Sequence, residues 1–413
     1  MDISITPKKL NGVINVPQSK SICHRALICA ALADKPMRLN VIDPPYEVKK
    51  TIEFLRTIGT EITIAADHID IVPPKTLPKT ASFNCGQSSS TLRFAIPFAA
   101  SLGIECEFSG NGNLSFEHIS SLIDSLKNHG CSFEGNSLPI KMTGKIKNGN
   151  YFIPASESSQ FASSLLMGLA RTEGESKINL LPPINSKRYI DQTVSVLSKF
   201  GTDIEIQPNA YVIHGRQFKA PDELTPEADY ALASVWLSAG VAVKGLPKYT
   251  DQADATVIDV LVSMGALTFE RDEELHCDIK NLHSFCFHAA QFPDIVPSLC
   301  AVAATAKGIT HIMGVGKLKY RDSDRINGIC NLINALGGKA YSYSEDIVIE
   351  GVPRLTGGEA PCNGDHRLVF AAAIMSCKCD KPVIIRNAEA VSKSYSNFWS
   401  DFTSVGGVYD ILN

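Results

Sequence analysis

The chain has 413 residues, 44% hydrophobic and 20% charged, and its 39 basic and 43 acidic residues give a formal net charge of −4. That length exceeds what one hydrophobic core usually serves and predicts two domains of roughly 200 residues. The charge balance argues against a general nucleic-acid or membrane-surface binder, so any affinity for anions must be local and the expected partners are small molecules.

Twelve cysteines run from Cys23 to Cys379 without a Cys-x-x-Cys pair or a His/Cys cluster at zinc spacing. Reduced thiols in a cytoplasm, and no metal site, are expected from that pattern. The sequence opens on a strand-like Ile3-Ser4-Ile5 with no basic segment and apolar run before it, and no apolar stretch approaches the roughly 18 residues needed to cross a bilayer. A cytoplasmic protein with no membrane partner is expected.

The first strong element is Pro17-Gln18-Ser19-Lys20-Ser21-Ile22-Cys23-His24-Arg25, which runs into the apolar helix Ala26 to Leu32. A helix N-terminus offers unpaired N–H groups and partial positive charge, so Lys20, Ser21 and Arg25 there predict a phosphate-sized anion site. Next comes a pattern that recurs six times: an apolar helix end, a glycine, then a strand-like run. It ends the helix before Gly59 and returns at Gly130, Gly201, Gly265, Gly337 and Gly406, at spacings of 71, 71, 64, 72 and 69 residues. Such a period marks repeated supersecondary units, and each glycine is predicted to end its helix in the left-handed conformation.

Between these stops lie further predicted helices at 90–100, 159–170, 230–241, 294–306 and 367–376. Several are apolar nearly all round, as in Ala231-Leu232-Ala233-Ser234-Val235-Trp236-Leu237. They should be buried, with the sheets outside them. Six units in two groups of three predict two similar α/β domains, with the break near Thr225 to Asp229 after the Pro/Glu-rich 220–226 segment. Sites in paired domains usually lie in the cleft between them.

The remaining helix-start motifs complete an ordered set. Gly86-Gln87-Ser88-Ser89-Ser90-Thr91-Leu92-Arg93 is followed by Ser156-Glu157-Ser158-Ser159-Gln160-Phe161, Phe292-Pro293-Asp294, Arg321-Asp322-Ser323-Asp324-Arg325, Gly364-Asp365-His366-Arg367 and Val391-Ser392-Lys393-Ser394-Tyr395. Together with the Ser-Lys-Ser-x-x-x-Arg-Ala start, this set resembles the 5-enolpyruvylshikimate-3-phosphate synthase family over essentially the whole chain. The resemblance implies a two-domain, inside-out α/β barrel-like fold of six βαβαββ repeats, three per domain, with 19–226 as one domain and 1–18 plus 227–413 as the other. It implies transfer of the enolpyruvyl group of phosphoenolpyruvate to shikimate 3-phosphate, with no metal or organic cofactor.

By the same resemblance, Lys20, Ser21, Arg25, Ser158, Ser159, Gln160, Ser186, Tyr189, Asp294, Lys317 and Arg321 would hold shikimate 3-phosphate. Lys20, Ser89, Gln160, Arg325, Arg367 and Lys393 would hold phosphoenolpyruvate. Both substrates carry phosphate and carboxylate, so a dry site needs several fixed cations, and arginine suits carboxylate through its two-pronged fork. Asp294 is the expected general base and Asp322, helped by Lys20, the expected proton donor to carbon. Asp294, Ser158, Ser159 and Asp365 can each also be read as helix N-caps.

Three departures from the family pattern bear on the site. Glu117 and His118 stand where a phosphate-binding arginine and a proline are expected, Ser89 replaces a glycine and should weaken inhibition by glyphosate, and Arg321-Asp322 replaces a Lys-Glu pair. The nearest rival is the related transferase acting on UDP-N-acetylglucosamine, disfavoured because Ser21 rather than asparagine follows Lys20 and because Cys85 and Cys106 lack its loop context. An anion-binding homologue with impaired catalysis is a rival of another class, and nucleic-acid end processing is disfavoured by the acidic balance. A monomer is expected, because domains that open and close need mobile faces.

Overall fold

The computed structural model describes residues 1–112, 114–215, 218–320 and 323–412. Each sequence unit folds as a βαβαββ repeat, and the third shows the plan. Strand Asn150–Pro154 leads into helix Ser159–Leu169, strand Gly174–Leu181, helix Lys187–Lys199 and the hairpin formed by Ile204–Gln207 and Ala210–Gly215. The first two strands pair in parallel, which requires a crossover, and the buried helix supplies it. The hairpin then adds two antiparallel pairings.

One parallel pair followed by two antiparallel pairs recurs in all six four-stranded sheets of the described residues. Three sheets are completed by strands from far along the chain. Glu223–Leu224 joins Met37–Leu39, Val13–Asn15 joins Ala242–Lys244, and Asp2–Thr6 lies between Val383–Ile385 and Val408–Leu412. The repeat count predicted from the glycines is therefore the observed one, although half of the repeats borrow a strand.

All six spaced glycines adopt positive φ, from +74° at Gly201 to +98° at Gly265, each ending the second helix of its repeat just before a strand. Only glycine enters that region without a Cβ penalty. At Gly130 an added Cβ would also fall 2.6 Å from the Lys145 carbonyl oxygen.

Apolar residues all round a helix leave it no stable place on a surface, so the first helix of each repeat goes inside. Every residue of Tyr230–Ser238, Val296–Ala303 and His366–Ser376 is buried. The second helices are one-sided: Lys187–Lys199 buries Ile190, Val196 and Leu197 and turns Arg188 and Lys199 outward. Each large aliphatic side chain so buried contributes about 1.5–3 kcal/mol. The sheets cover these helices with alternating faces, as in Asn150–Pro154, where Tyr151 and Ile153 are buried and Phe152 is exposed. Helices inside and sheets outside is the predicted arrangement.

Two predicted helices are shorter than expected. The one from Tyr230 stops at Ser238 because Gly240 takes φ +76°, and the one from Asp294 begins only at Val296. The chain divides into two compact units, Met1–Pro17 with Glu227–Asn413, and Gln18–Pro226, each with its own apolar core. Among the described residues no helix is long and apolar enough to cross a membrane.

Candidate active site

In the unit Gln18–Pro226, three buried helices start on serine-rich segments: Lys20–Ala31, Ser89–Leu102 and Ser159–Leu169. Ser88 and Ser158 cap the second and third, their hydroxyls accepting from the main-chain N–H of Thr91 and Gln160, each at 3.2 Å. The capping reading of Ser158 therefore holds, and Ser159 is the first helical residue.

Lys20, the first residue of its helix, forms an ion pair with Glu47 of helix Tyr46–Thr57, and the side chains are 20% and 5% exposed. A carboxylate that dry requires a partner, so the pairing fixes the ammonium in place. One turn on, Arg25 is 2% exposed and spreads its donors over three helices. Nε donates to Thr193 Oγ1 at 2.7 Å, Nη1 to the carbonyl and hydroxyl of Ser21, and Nη2 to Ser163 Oγ and the Tyr189 carbonyl. Five N–H groups thus meet five acceptors, and burial lowers this guanidinium to a pKa of about 10. The Ser21 hydroxyl in turn donates to Gln192 Oε1 at 2.8 Å.

Between Lys20 and Arg25 sits His24, whose Nδ1 lies 2.8 Å from Thr51 Oγ1. Burial depresses its pKa to about 3, so the ring is neutral. From Thr51 a row of hydroxyls continues through Thr91 to Ser88, linking helices Lys20–Ala31, Tyr46–Thr57 and Ser89–Leu102. Ser186, at φ +56°, precedes helix Lys187–Lys199 and is buried, whereas Tyr189 is half-buried. Gln160 accepts from Arg93 Nη1 and donates to Ser90 Oγ, both at 2.8 Å.

Ser89 is half-buried beside its capping neighbour Ser88. Glu117 lies in a short 3-10 turn, Phe116–His118, and is exposed, with its carboxyl held below the usual range first by a hydrogen bond to Ser115. The acidic side chain is thereby drawn to solvent and to its own turn.

In the other unit, Asp294 stands between two buried arginines. Its Oδ1 is 3.9 Å from Arg325 Nη1 and its Oδ2 is 3.6 Å from Arg367 Nη2, with Asp294 27% exposed and the arginines 3% and 5%. The helix that follows is not capped by Asp294, so of its two readings the capping one fails. Asp365 does cap, accepting from the Arg367 N–H at 2.9 Å, and it also binds Arg325 at two points and the Ser323 hydroxyl. Arg367 reaches the Ala231 carbonyl at 3.3 Å. Lys317 and Lys393 are half-buried in the 3-10 turns Gly316–Tyr320 and Ala388–Lys393. Arg321 and Asp322 lie outside the described residues.

Within its own unit each set is drawn together: Ser21, Arg25 and Tyr189 by direct hydrogen bonds, with Lys20 next to Ser21 in the chain and paired with Glu47, Ser158 and Gln160 at one helix start, and Asp294, Arg325 and Arg367 around one carboxylate. The residues missed by sequence reading are the partners of these cations, Glu47, Ser163 and Thr193, and the second role of Asp365, while Arg93 stands within a predicted helix-start segment that gives it no role. Glu47 carried a detectable signal, an acidic residue in a first helical turn, but nothing to tie it to Lys20.

A family model described as EPSP synthase (3-phosphoshikimate 1-carboxyvinyltransferase) matches residues 5–402. A 3-phosphoshikimate 1-carboxyvinyltransferase of Clostridium kluyveri is 34% identical over 417 residues, covering 99% of this chain and 98% of its own, and that of Clostridium beijerinckii is 34% identical over 100% and 99%. Among solved structures, EPSP synthase of Acinetobacter baumannii superposes with a TM-score of 0.83 at 21% identity over the full length of both chains, a likeness of fold. By the family match and the identity to full-length relatives, the chain belongs to the EPSP synthase family.

Proposed function

We propose that this chain transfers the enolpyruvyl group of phosphoenolpyruvate to the 5-hydroxyl of shikimate 3-phosphate and releases inorganic phosphate, the activity for which its relatives are named. The observation that carries the reading is Asp294 set between the buried guanidiniums of Arg325 and Arg367. Two desolvated guanidiniums suit the carboxylate and phosphate of phosphoenolpyruvate, and a carboxylate beside them suits a hydroxyl proton.

In this reading Lys20, Ser21, Arg25, Ser158, Ser159, Gln160, Ser186, Tyr189, Asp294, Lys317 and Arg321 hold shikimate 3-phosphate. Lys20, Ser89, Gln160, Arg325, Arg367 and Lys393 hold phosphoenolpyruvate. Asp294 accepts the 5-hydroxyl proton as that oxygen bonds to C2 of phosphoenolpyruvate. Asp322, helped by Lys20, delivers a proton to the methylene carbon, giving a tetrahedral adduct that still carries phosphate. As the bond from C2 to the phosphate oxygen breaks, one methyl proton returns to Asp322 and the proton held by Asp294 goes to the departing phosphate, which restores the double bond and leaves the enolpyruvyl ether and free phosphate. The reading uses no metal or organic cofactor and takes the chain as a cytoplasmic monomer, in keeping with its reduced, mostly buried cysteines.

The test is steady-state phosphate release with both substrates, against controls with each alone. Turnover only with the pair is expected. No release at saturating amounts of both would leave an anion-binding homologue without this activity.

A further inference from the structure

Arg25 and Arg93 are the buried arginines of the described residues in the unit Gln18–Pro226, at 2% and 8% exposed. Arg25 ties three helices together beside Ser21. Arg93, one turn into helix Ser89–Leu102, does something different: Nη1 donates to Gln160 Oε1 at 2.8 Å, Nε donates to the His118 carbonyl at 3.0 Å, and the guanidinium carbon lies 5.7 Å from the centre of the Phe161 ring.

The consequence falls on the Gln160 amide, which is held at both ends. Arginine has donors and no acceptor, so the amide atom facing it must be the oxygen. The nitrogen must then face Ser90, where Nε2 donates to Oγ at 2.8 Å. Turning the amide over would set its N–H groups against a buried guanidinium, leaving donors on both sides unpaired. Nε2 carries two N–H groups, and Ser90 is the one acceptor recorded for them among the described residues. The second N–H is what this half-buried side chain has to offer an anion.

We propose that Arg93 is a positioning residue for phosphoenolpyruvate, acting through Gln160 by locking its amide so that an N–H, and not the carbonyl oxygen, meets the anionic substrate. The inference rests on the reading of Gln160 as a phosphoenolpyruvate contact. With the lock removed, the amide is free to present its oxygen, which repels carboxylate and phosphate alike. The bond from Arg93 to the His118 carbonyl ties the 116–118 turn to the same guanidinium.

The test is steady-state kinetics on the full chain for wild type, Arg93→Met, Arg93→Lys, Gln160→Met and the Arg93→Met/Gln160→Met pair. Arg93→Met is expected to raise the KM for phosphoenolpyruvate about tenfold or more, and that for shikimate 3-phosphate, which Gln160 also contacts in the proposed function, by a clearly smaller factor. Arg93→Lys, which cannot reach Gln160 and His118 with one fork, gives a smaller rise in the same constant. In the Gln160→Met background the further effect of Arg93→Met shrinks to within about twofold, because a residue acting through another has nothing left to act on. Equal rises in both KM values, or an undiminished effect without Gln160, overturn the proposal. Should Arg93→Met fail to fold, Arg93→Lys decides by the same split, and an unchanged KM for phosphoenolpyruvate there also overturns it. If the wild type releases no phosphate, it is the functional reading that has failed. Calorimetric titration of phosphoenolpyruvate into wild type and Arg93→Lys then settles the lock: tighter binding by wild type supports it and equal affinity overturns it.

Discussion

Asp365 grips the guanidinium of Arg325 at two points, Nε to Oδ2 at 2.8 Å and Nη2 to Oδ1 at 3.2 Å, with neither side chain more than 3% exposed. The same carboxylate caps helix His366–Ser376 through the Arg367 N–H, so a single acid sets the place of both arginines that flank Asp294. Removing one partner of a buried pair costs about 3–5 kcal/mol, because the other charge is left dry and unpaired. Asp365→Ala is therefore expected to lower the unfolding free energy by that amount and to raise the KM for phosphoenolpyruvate. Asp365→Asn, which can still cap, should be milder on stability. Urea unfolding and initial rates check both, and a stable Asp365→Ala with an unaltered KM would remove Asp365 from this role.

Glu117 offers a gain-of-function test. It is exposed and tied to Ser115 of its own turn, so replacing it disturbs no core contact. Glu117→Arg is expected to leave the melting temperature where it is and to tighten phosphoenolpyruvate by about tenfold, the usual effect of one charge-assisted contact. Calorimetry with shikimate 3-phosphate already bound is the measurement. An affinity that stays put or falls means position 117 does not border the substrate.

What could be read from the sequence was set by local rules, and what could not was set by distant partners. Gly59 through Gly406 disclosed six repeats because a left-handed helix end nearly demands glycine, wherever it occurs. Val13–Asn15 and Glu223–Leu224 gave no such signal, being strands of three and two residues that exist only because a sheet elsewhere lacks its edge. The site divides the same way. Lys20, Arg325 and Arg367 stood out as cations at helix starts, whereas Glu47, Arg93 and Thr193 acquire meaning only when packing brings them to Lys20, Gln160 and Arg25.

Ser89 lies beside the cap of its helix and does not itself cap it, since Ser88 accepts the Thr91 N–H. Ser89→Gly should therefore leave the helix start intact, at a stability change below about 1 kcal/mol. With the hydroxymethyl gone, the inhibition constant of glyphosate is expected to fall at least about threefold. An inhibition constant equal to wild type would show that Ser89 does not crowd that ligand.

Lys20 and Glu47 make a paired prediction. Lys20→Met should reduce turnover at least about a hundredfold if, as proposed, Lys20 serves both substrates and the proton donor. It also strands a nearly buried carboxylate, so it should be less stable than the Lys20→Met/Glu47→Gln pair, in which neither charge remains. Chemical denaturation of the two variants gives the order. If the double variant is the weaker, the ion pair is not what holds Glu47 in the interior.

His24 should make stability depend on pH in a defined window. Its folded pKa is depressed by burial from 6.5 to about 3, so the fold tolerates only the neutral ring. Above pH 6.5 neither state carries the proton and the contribution is complete. Between 6.5 and about 3 the unfolded chain binds a proton that the folded one does not, and stability falls by about 1.4 kcal/mol per pH unit, or about 2 kcal/mol at pH 5. His24→Gln keeps a group that can bond Thr51 Oγ1 and cannot titrate. The difference in unfolding free energy between wild type and His24→Gln, measured in urea, should therefore shift by about 2 kcal/mol in favour of the variant from pH 7 to pH 5, other titrating groups cancelling because both chains carry them. A difference that is the same at the two pH values would mean that the ring accepts its proton in the folded state, and that the hydroxyl row behind Lys20 is open to water.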